Sequence, residues 1–446
     1  MVRLRAIVGR GARAVAAVAA VALVATACVS GGSSSNSNSR AGQKVQPVTP
    51  KEPTSPVTIT FSSWVGDSPQ MKKLSADFHK AHPNITIKFQ NVPADSATQK
   101  LTTQIAGGTA PDVAFVDASA VQDFASRNAL VNLDGYIAGS KAVDLNDYVA
   151  GFKSTALYKN SMFALPYDGE TTGLFYRTDL FQAAGISSPP TTWEEFQADA
   201  AKLTVPSKKQ YGFILFAPES QYYWQPFLWQ AGGHLMSQDG KTITFNSPAG
   251  IQAANFYAGL RKYAPKDYLN SNSWDGRVAF ATGKVAMYEA GAWFGGEMKT
   301  SFPKINGKWS VAPMPKGPAR QATTIAGDSL IVLSQSKQPD AAWLWIEFLS
   351  RPDNMKTWTF GSPTTTLLPP RQSLLSDPNL GKYNPWLKGF ADQMKYAVTD
   401  TLTNPKWSQV SEALNTELGK AVYGDQTPEQ ALTKAAQKGT QILQSG

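Results

Sequence analysis

Cysteine is nearly absent from this 446-residue chain: Cys28 is the only one, so no disulfide can close within it. Histidine is almost as scarce. His79, His82 and His234 stand far apart, without HExxH pairing or Cys/His spacing, which argues against a metal site. No GxSxG elbow, phosphate-binding glycine loop or Cys–His pair marks hydrolase or nucleotide chemistry, and no cofactor is implied. Charged residues make up only 17% of the chain, with no Lys/Arg-rich run interleaved with aromatics, so nucleic acid is a poor match as a partner. After Cys28 no apolar run reaches the length of a membrane span.

What is present is apolar bulk. Hydrophobic residues reach 42%, with 12 Trp, 15 Tyr and 21 Phe, enough for large cores and well suited to flat, partly apolar ligands. The length suggests two or three domains, or one elaborate one. The N-terminus reads as an export signal, residues 1–27: Arg3, Arg5, Arg10 and Arg13 without an acid, then the short apolar run Ala14–Ala25. Removing those four arginines lowers the net charge from +9 to +5. Residues 28–56, rich in Ser, Gly and Asn and then in Pro, read as a flexible tether.

Beyond the tether the pattern alternates strand and helix. "VTITFSSW" (57–64) is β-branched and alternating, and Met71, Leu74 and Phe78 then recur at helical spacing before Pro83. "ITIKFQNV" reads as a second strand, a helix ends at Gly107-Gly108, and Val113–Val116 reads as a buried strand. Strand–helix–strand–helix–strand implies a parallel, doubly wound sheet with right-handed crossovers. Farther on, Thr192 reads as an N-cap, Ser247-Pro248 as an N-cap followed by a first-turn proline, "VAMYEAG" as a strand and "TIAGDSLIVLS" as another strand-like run. "PDAAWLWIEFLS" reads as a helix with Trp343 and Trp345 in the core, and residues 405–443 look largely helical.

"ATAC" (25–28) resembles a bacterial lipobox, in which the cysteine carries the lipid, although Ala25 stands where leucine is usual. Four further stretches resemble, in order, the extracellular solute-binding lipoproteins of bacterial ABC importers, of the maltose and multiple-sugar type. They are "GGTAPDVAFVD", "ALPYDGETTGLFYRTDLFQAAG", "AFATGKVAMYEAGAWFGGE" and "AWLWIEFLSRPDN". The resemblance implies a two-lobed α/β fold of the periplasmic-binding-protein kind, each lobe a mainly parallel sheet flanked by helices, closing on ligand about a multi-crossing hinge. It divides the chain into a first lobe of 57–164 plus 323–358 and a second of 165–322 plus 359–446. The crossings would fall near "LPYDG", "PMPKGPARQ" and "FGSPTT". It implies a non-enzymatic monomer on the outer face of the cytoplasmic membrane, anchored by lipid on Cys28, that hands a di- or oligosaccharide to permease subunits.

Ligands of open α/β sheets lie beyond the carboxyl ends of the strands. That rule selects the loops carrying Trp64 and Asp67, Asp117, Tyr167 and Asp168, Tyr222, Tyr223 and Trp224, Trp274, Trp293, Asp328 and Arg371 as ligand contacts. A pyranose lays its C–H face on an indole while carboxylates take its hydroxyl hydrogens. The glycines around Trp293 in "AGAWFGGE" would leave such a platform bare. Trp407 opens a helix and either reaches the cleft or packs. Two other readings stay open. The same fold could hold a glycerophosphodiester or polyamine, which would call for several cations or more carboxylates. A secreted glycosidase would need a carboxylate pair, for which Asp168 with Glu170 and Glu194 with Glu195 are available.

Overall fold

The computed structural model describes residues 45–271, 273–400 and 404–445. In chain order its strands are β1 (Val57–Ser63), β2 (Ile85–Asn91), β3 (Val113–Asp117), β4 (Leu157–Tyr158), β5 (Ser161–Met162), β6 (Leu165–Pro166), β7 (Glu170–Arg177), β8 (Met287–Gly291), β9 (Trp309–Ala312), β10 (Thr323–Ala326), β11 (Asp328–Val332) and β12 (Ala397–Val398). Two sheets carry the two lobes. One has the order β2-β1-β3-β11-β6; the other runs β12-β10-β7-β8, with β9 also on β7, and β4 and β5 form a small hairpin.

The first sheet starts as the pattern requires. β1 lies parallel to both β2 and β3, joined through the helices Pro69–Ala81 and Ala94–Ala106. Ser68 caps the first of these, its Oγ accepting the Met71 N–H at 3.2 Å, and Pro69 occupies the first turn, where its missing N–H costs nothing. Met71, Leu74 and Phe78 form its buried stripe. Phe78 meets Trp345 edge-on at 5.0 Å between ring centres, and Phe61 meets the same indole at 6.0 Å. Trp343 and Trp345 are both fully buried in the helix Pro339–Leu349, as the apolar pattern predicts.

Both sheets are mixed. β11 returns antiparallel beside β3, and β6 runs antiparallel to β11. In the second sheet β8, β9 and β10 are all antiparallel to β7, and β12 lies parallel to β10. The chain changes sheets at Tyr167-Asp168-Gly169, between β6 and β7, and again at Gly327, between β10 and β11. "TIAGDSLIVLS" is therefore two strands in two sheets. Gly327 breaks the run with φ of +151°, and a Cβ there would sit 2.4 Å from the Asp168 carbonyl oxygen, so the two crossings lie against each other. Leu368 bridges Gly169 through paired backbone bonds and adds a third run of chain to this bundle.

These pairings shift the expected lobe limits by a few residues. Leu165–Pro166 pairs within the first sheet and Thr323–Ala326 within the second. "PMPKGPARQ" is no crossing: Lys316 bridges Thr192 on the second lobe. The later half of the expected tether is also tied down on the first lobe. The Val48 N–H donates to the Gly135 carbonyl, Asn84 donates to the Pro53 carbonyl, and His82 Nδ1 lies 2.6 Å from Glu52 Oε1. Cys28 lies outside the described residues.

Candidate functional site

A cavity of 340 Å³ lies between the lobes. The first lobe contributes the end of β3 and the turn after it. Asp117 closes that strand, and its Oδ1 accepts the Ser119 N–H at 2.8 Å, turning the chain into the short helix Val121–Ser126, whose Gln122 and Asp123 also face the cavity. The floor is the second crossing, Thr324 to Gly327. This is the place where the strand-end rule puts a ligand.

The second lobe contributes the helix Ser220–Gln230, which sequence reading took for a loop. Its faces divide by helical spacing. Gln221, Gln225 and Trp229, four residues apart, line the cavity together with Tyr222, whereas Tyr223, Trp224, Phe227 and Leu228 are buried on the opposite side. Pro226 inside this helix leaves the Tyr222 carbonyl without its usual donor four residues on. Trp229 is held by its ring nitrogen, which donates to Asp400 Oδ2 at 3.0 Å. Asp400 also accepts the Leu235 N–H at 2.6 Å, and its other oxygen lies 2.7 Å from His234 Nδ1. Trp407, the first residue of the helix Trp407–Tyr423, completes the wall.

Behind Tyr222 stands Glu170, the first residue of β7. One carboxylate oxygen accepts the Tyr222 hydroxyl at 2.8 Å and the other accepts the Trp293 ring N–H at 3.1 Å. Burial pushes the Glu170 carboxyl up to about 7, against those two donors, which favour the ion. Asp168, 3% exposed, is likewise raised by burial to about 7, although it accepts the Trp358 ring N–H at 2.9 Å and the Asp328 N–H at 3.1 Å. Asp328 is held well above the ordinary carboxyl range by burial and by the nearby Asp168, Asp117 and Glu170.

Of the predicted contacts the cavity brings together Asp117 and Tyr222, while Trp293 sits one residue behind them through Glu170. The glycines beside Trp293 receive protein side chains rather than clearing a bare platform. A Cβ on Gly291 would lie 2.4 Å from the Glu170 carboxyl carbon, and one on Gly295 would lie 2.6 Å from the Trp386 indole. One face of the Trp293 ring is also covered by the Arg277 guanidinium, 4.6 Å from its centre. Trp64 packs against Phe115 at 4.7 Å, and Asp67 pairs with Lys72 at 3.2 Å on the surface. Tyr167 is buried and stacked on Trp358.

Tyr223 bonds the Tyr288 hydroxyl and Trp224 is fully buried. Asp168 and Asp328 sit in the crossings, behind the cavity wall. Arg371 is not among the lining residues: its Nε donates to Asp147 at 2.6 Å and its Nη1 to the carbonyls of Ala142 and Ser350. The side chain of Trp274 lies outside the described residues. Sequence reading passed over Gln122, Gln221, Gln225, Trp229, Thr324 and Asp400; the four-residue spacing of Gln221, Gln225 and Trp229 was the available signal for three of them. Among the described residues no Lys or Arg lines the cavity, and the acids there are Asp117, Asp123 and Asp400.

A family model described as bacterial extracellular solute-binding protein matches residues 63–356. A putative binding protein of Brucella abortus is 30% identical over 298 residues, 64% of this chain and 69% of its own. Among solved structures, an ABC transporter solute-binding protein of Thermotoga lettingae bound with α-D-tagatose superposes with a TM-score of 0.78 at 27% identity, covering 87% of this chain and all (100%) of that one. The GacH receptor of Streptomyces glaucescens, solved unliganded and with acarbose, gives 0.76 at 26% identity over 87% of this chain and 98% of its own. With two mixed-sheet lobes, adjoining crossings and a polar cavity between them, the chain belongs to the bacterial extracellular solute-binding protein family.

Proposed function

We propose that this protein captures a neutral, hydroxyl-rich solute, a sugar or polyol, in the cavity between its lobes and delivers it to the permease of an ABC importer without acting on it chemically. The observation that carries this reading is the lining. Amides (Gln122, Gln221, Gln225), hydroxyls (Ser119, Thr324) and carboxylates stand beside Tyr222, Trp229 and Trp407, and no described lining residue is a cation. Laying about 80 Å² of a sugar's C–H face on one ring is worth about 2 kcal/mol at ~25 cal/mol per Å². Two such faces and several hydrogen bonds, less the cost of ordering, reach about −8 kcal/mol, a micromolar affinity. Sugar-type ligands in the related tagatose and acarbose complexes support the same class.

The rival ligands fit less well. A phosphodiester would meet three carboxylates and no guanidinium or ammonium among the described lining residues. A polyamine would have to compete for acids already engaged: Asp123 with Arg127 at 2.8 Å, Asp400 with three donors and Asp117 with its turn. Glycoside hydrolysis would need a free carboxylate pair facing the ligand. Asp168 binds Trp358 and Asp328, Glu170 spends both oxygens on Tyr222 and Trp293, and the lining acids Asp117, Asp123 and Asp400 are engaged by Ser119, by Arg127 and by Trp229, His234 and Leu235.

We assign the first lobe to the segments around β1–β6 and β11, the second to those around β7–β10 and β12, and lipidation after export to Cys28. The protein then acts as a monomer on the outer face of the cytoplasmic membrane. A thermal-shift panel of monosaccharides, disaccharides and alditols tests the function, because a ligand of the folded state raises stability as RT ln(1 + [L]/Kd). A flat response to all of them, beside a shift with glycerophosphocholine or spermidine, would overturn it. Release of new reducing ends from an oligosaccharide would restore the hydrolase.

A further inference from the structure

A second cavity shares Ser408 and Ser411 with the first. This depression of 430 Å³ runs along the outer side of the helix Trp407–Tyr423, walled opposite by Ala217, Pro218 and Asn270. Its floor is one helical face. Ser408, Ser411, Asn415, Thr416, Gly419 and Tyr423 recur at three- and four-residue steps, whereas Val410, Leu414, Leu418 and Val422 on the other side are buried. At 1.5 Å of rise per residue, Ser411 to Tyr423 is about 18 Å of floor.

Three observations connect this groove to the cleft. Ser408 and Ser411 line both. Between them stands Gln221, whose carbonyl oxygen accepts from Ser411 at 2.7 Å, whose amide donates to Gln225 at 2.6 Å, and whose backbone N–H donates to Asn415 at 2.7 Å. Polar side chains thus pass without a break from Asn415 in the groove to Gln225 in the cleft. The far end carries Tyr423, 42% exposed. The groove's charged residues are Lys420, paired with Glu417 at 2.9 Å, and the exposed Glu412.

We propose that cleft and groove form a single track, and that the groove takes the outer units of an extended neutral oligosaccharide whose inner units occupy the cleft, with the Tyr423 ring as the outermost platform. This rests on the carbohydrate reading of the cleft. A ligand confined to the cleft gains nothing from length; one that reaches Tyr423 gains a further apolar face.

Calorimetric titration with maltose, cellobiose and xylobiose, each beside its tetramer and hexamer, tests it. For a series whose dimer binds, the longer homologue should bind at least about tenfold more tightly. Tyr423→Ala and Thr416→Trp, both at exposed positions, should erase that gain while leaving the dimer's affinity and the melting temperature unchanged. Equal affinity for dimer and hexamer, or a gain that survives both substitutions, overturns the track and leaves the cleft reading intact. No binding of any of these sugars, together with a flat response in the thermal panel, removes the cleft reading and the track with it.

Discussion

Replacing Glu170 by Gln should change how stability depends on pH while leaving the fold intact. Glu170 is raised from 4.5 to about 7, so between those values the folded protein keeps a proton that the unfolded chain has lost. The folded state binds more protons there, and stability therefore falls as pH rises through that window, flattening above it. At 1.36 kcal/mol per unit, the carboxyl's contribution falls by up to about 3 kcal/mol. Glutamine mimics the protonated acid: its carbonyl can accept from Trp293, and its NH2 can donate to the Tyr222 oxygen, which can turn its own hydrogen away. Wild type and Glu170→Gln should therefore unfold alike in urea near about pH 4, and by about pH 8 the variant should be the more stable by up to that amount. The difference between the two curves reports Glu170 together with its effect on Asp168 and Asp328, whose carboxyls its charge helps to raise. Parallel curves, or a variant weaker at every pH, would refute the reasoning and show that Glu170 is ionised and serves its two donors as an anion.

Three further outcomes rest on the same geometry. Asp328→Asn should also lessen the loss of melting temperature as pH rises, because the Asp168 and Asp328 carboxyls in adjoining crossings cannot both ionise without repulsion; an unchanged slope counts against a shared proton. Arg371→Ala should cost roughly 1–3 kcal/mol in denaturant by removing the donor to Asp147 and to the Ala142 and Ser350 carbonyls, while sugar affinity measured by calorimetry stays the same. Tyr222→Ala should weaken binding of the preferred sugar by up to about 2 kcal/mol, roughly 30-fold, and near-wild-type affinity would show the ring to be only a wall.

The periodic signals carried the fold because they report burial, and burial made the helices and strands. The stripe Met71, Leu74 and Phe78, the caps at Thr192 and Ser247, and the alternation of β1 are local statements that the structure needed no distant partner to fulfil. The site depends on partners far away in sequence, and there local reasoning lost its hold. An aromatic cluster such as "QYYWQPFLW" looks uniformly suited to a ligand until it is wound into a helix. Winding brings an edge of the largely buried Trp229 to the cavity wall and turns Trp224 wholly into the core, so the choice between neighbouring aromatics is made by phase. Gly327 was hidden in the same way. Nothing within "TIAGDSLIVLS" tells a strand with a glycine from two strands in different sheets, until the Asp168 carbonyl occupies the place of a side chain.

For function, the same ambiguity centres on Trp293. Glycines beside an indole signal that something approaches closely, and the approach is real. The groups that arrive beside the glycines are Glu170 and Trp386 from elsewhere in the chain. Through Glu170 the same indole helps hold Tyr222 at the cavity wall. Residues that set the cavity's shape and residues that touch the solute leave similar marks on the sequence, since both need room cleared around them. Only the three-dimensional partner tells them apart. By that criterion the ligand-facing ring to test first is Tyr222, which lines the cavity and is fixed at its hydroxyl by Glu170.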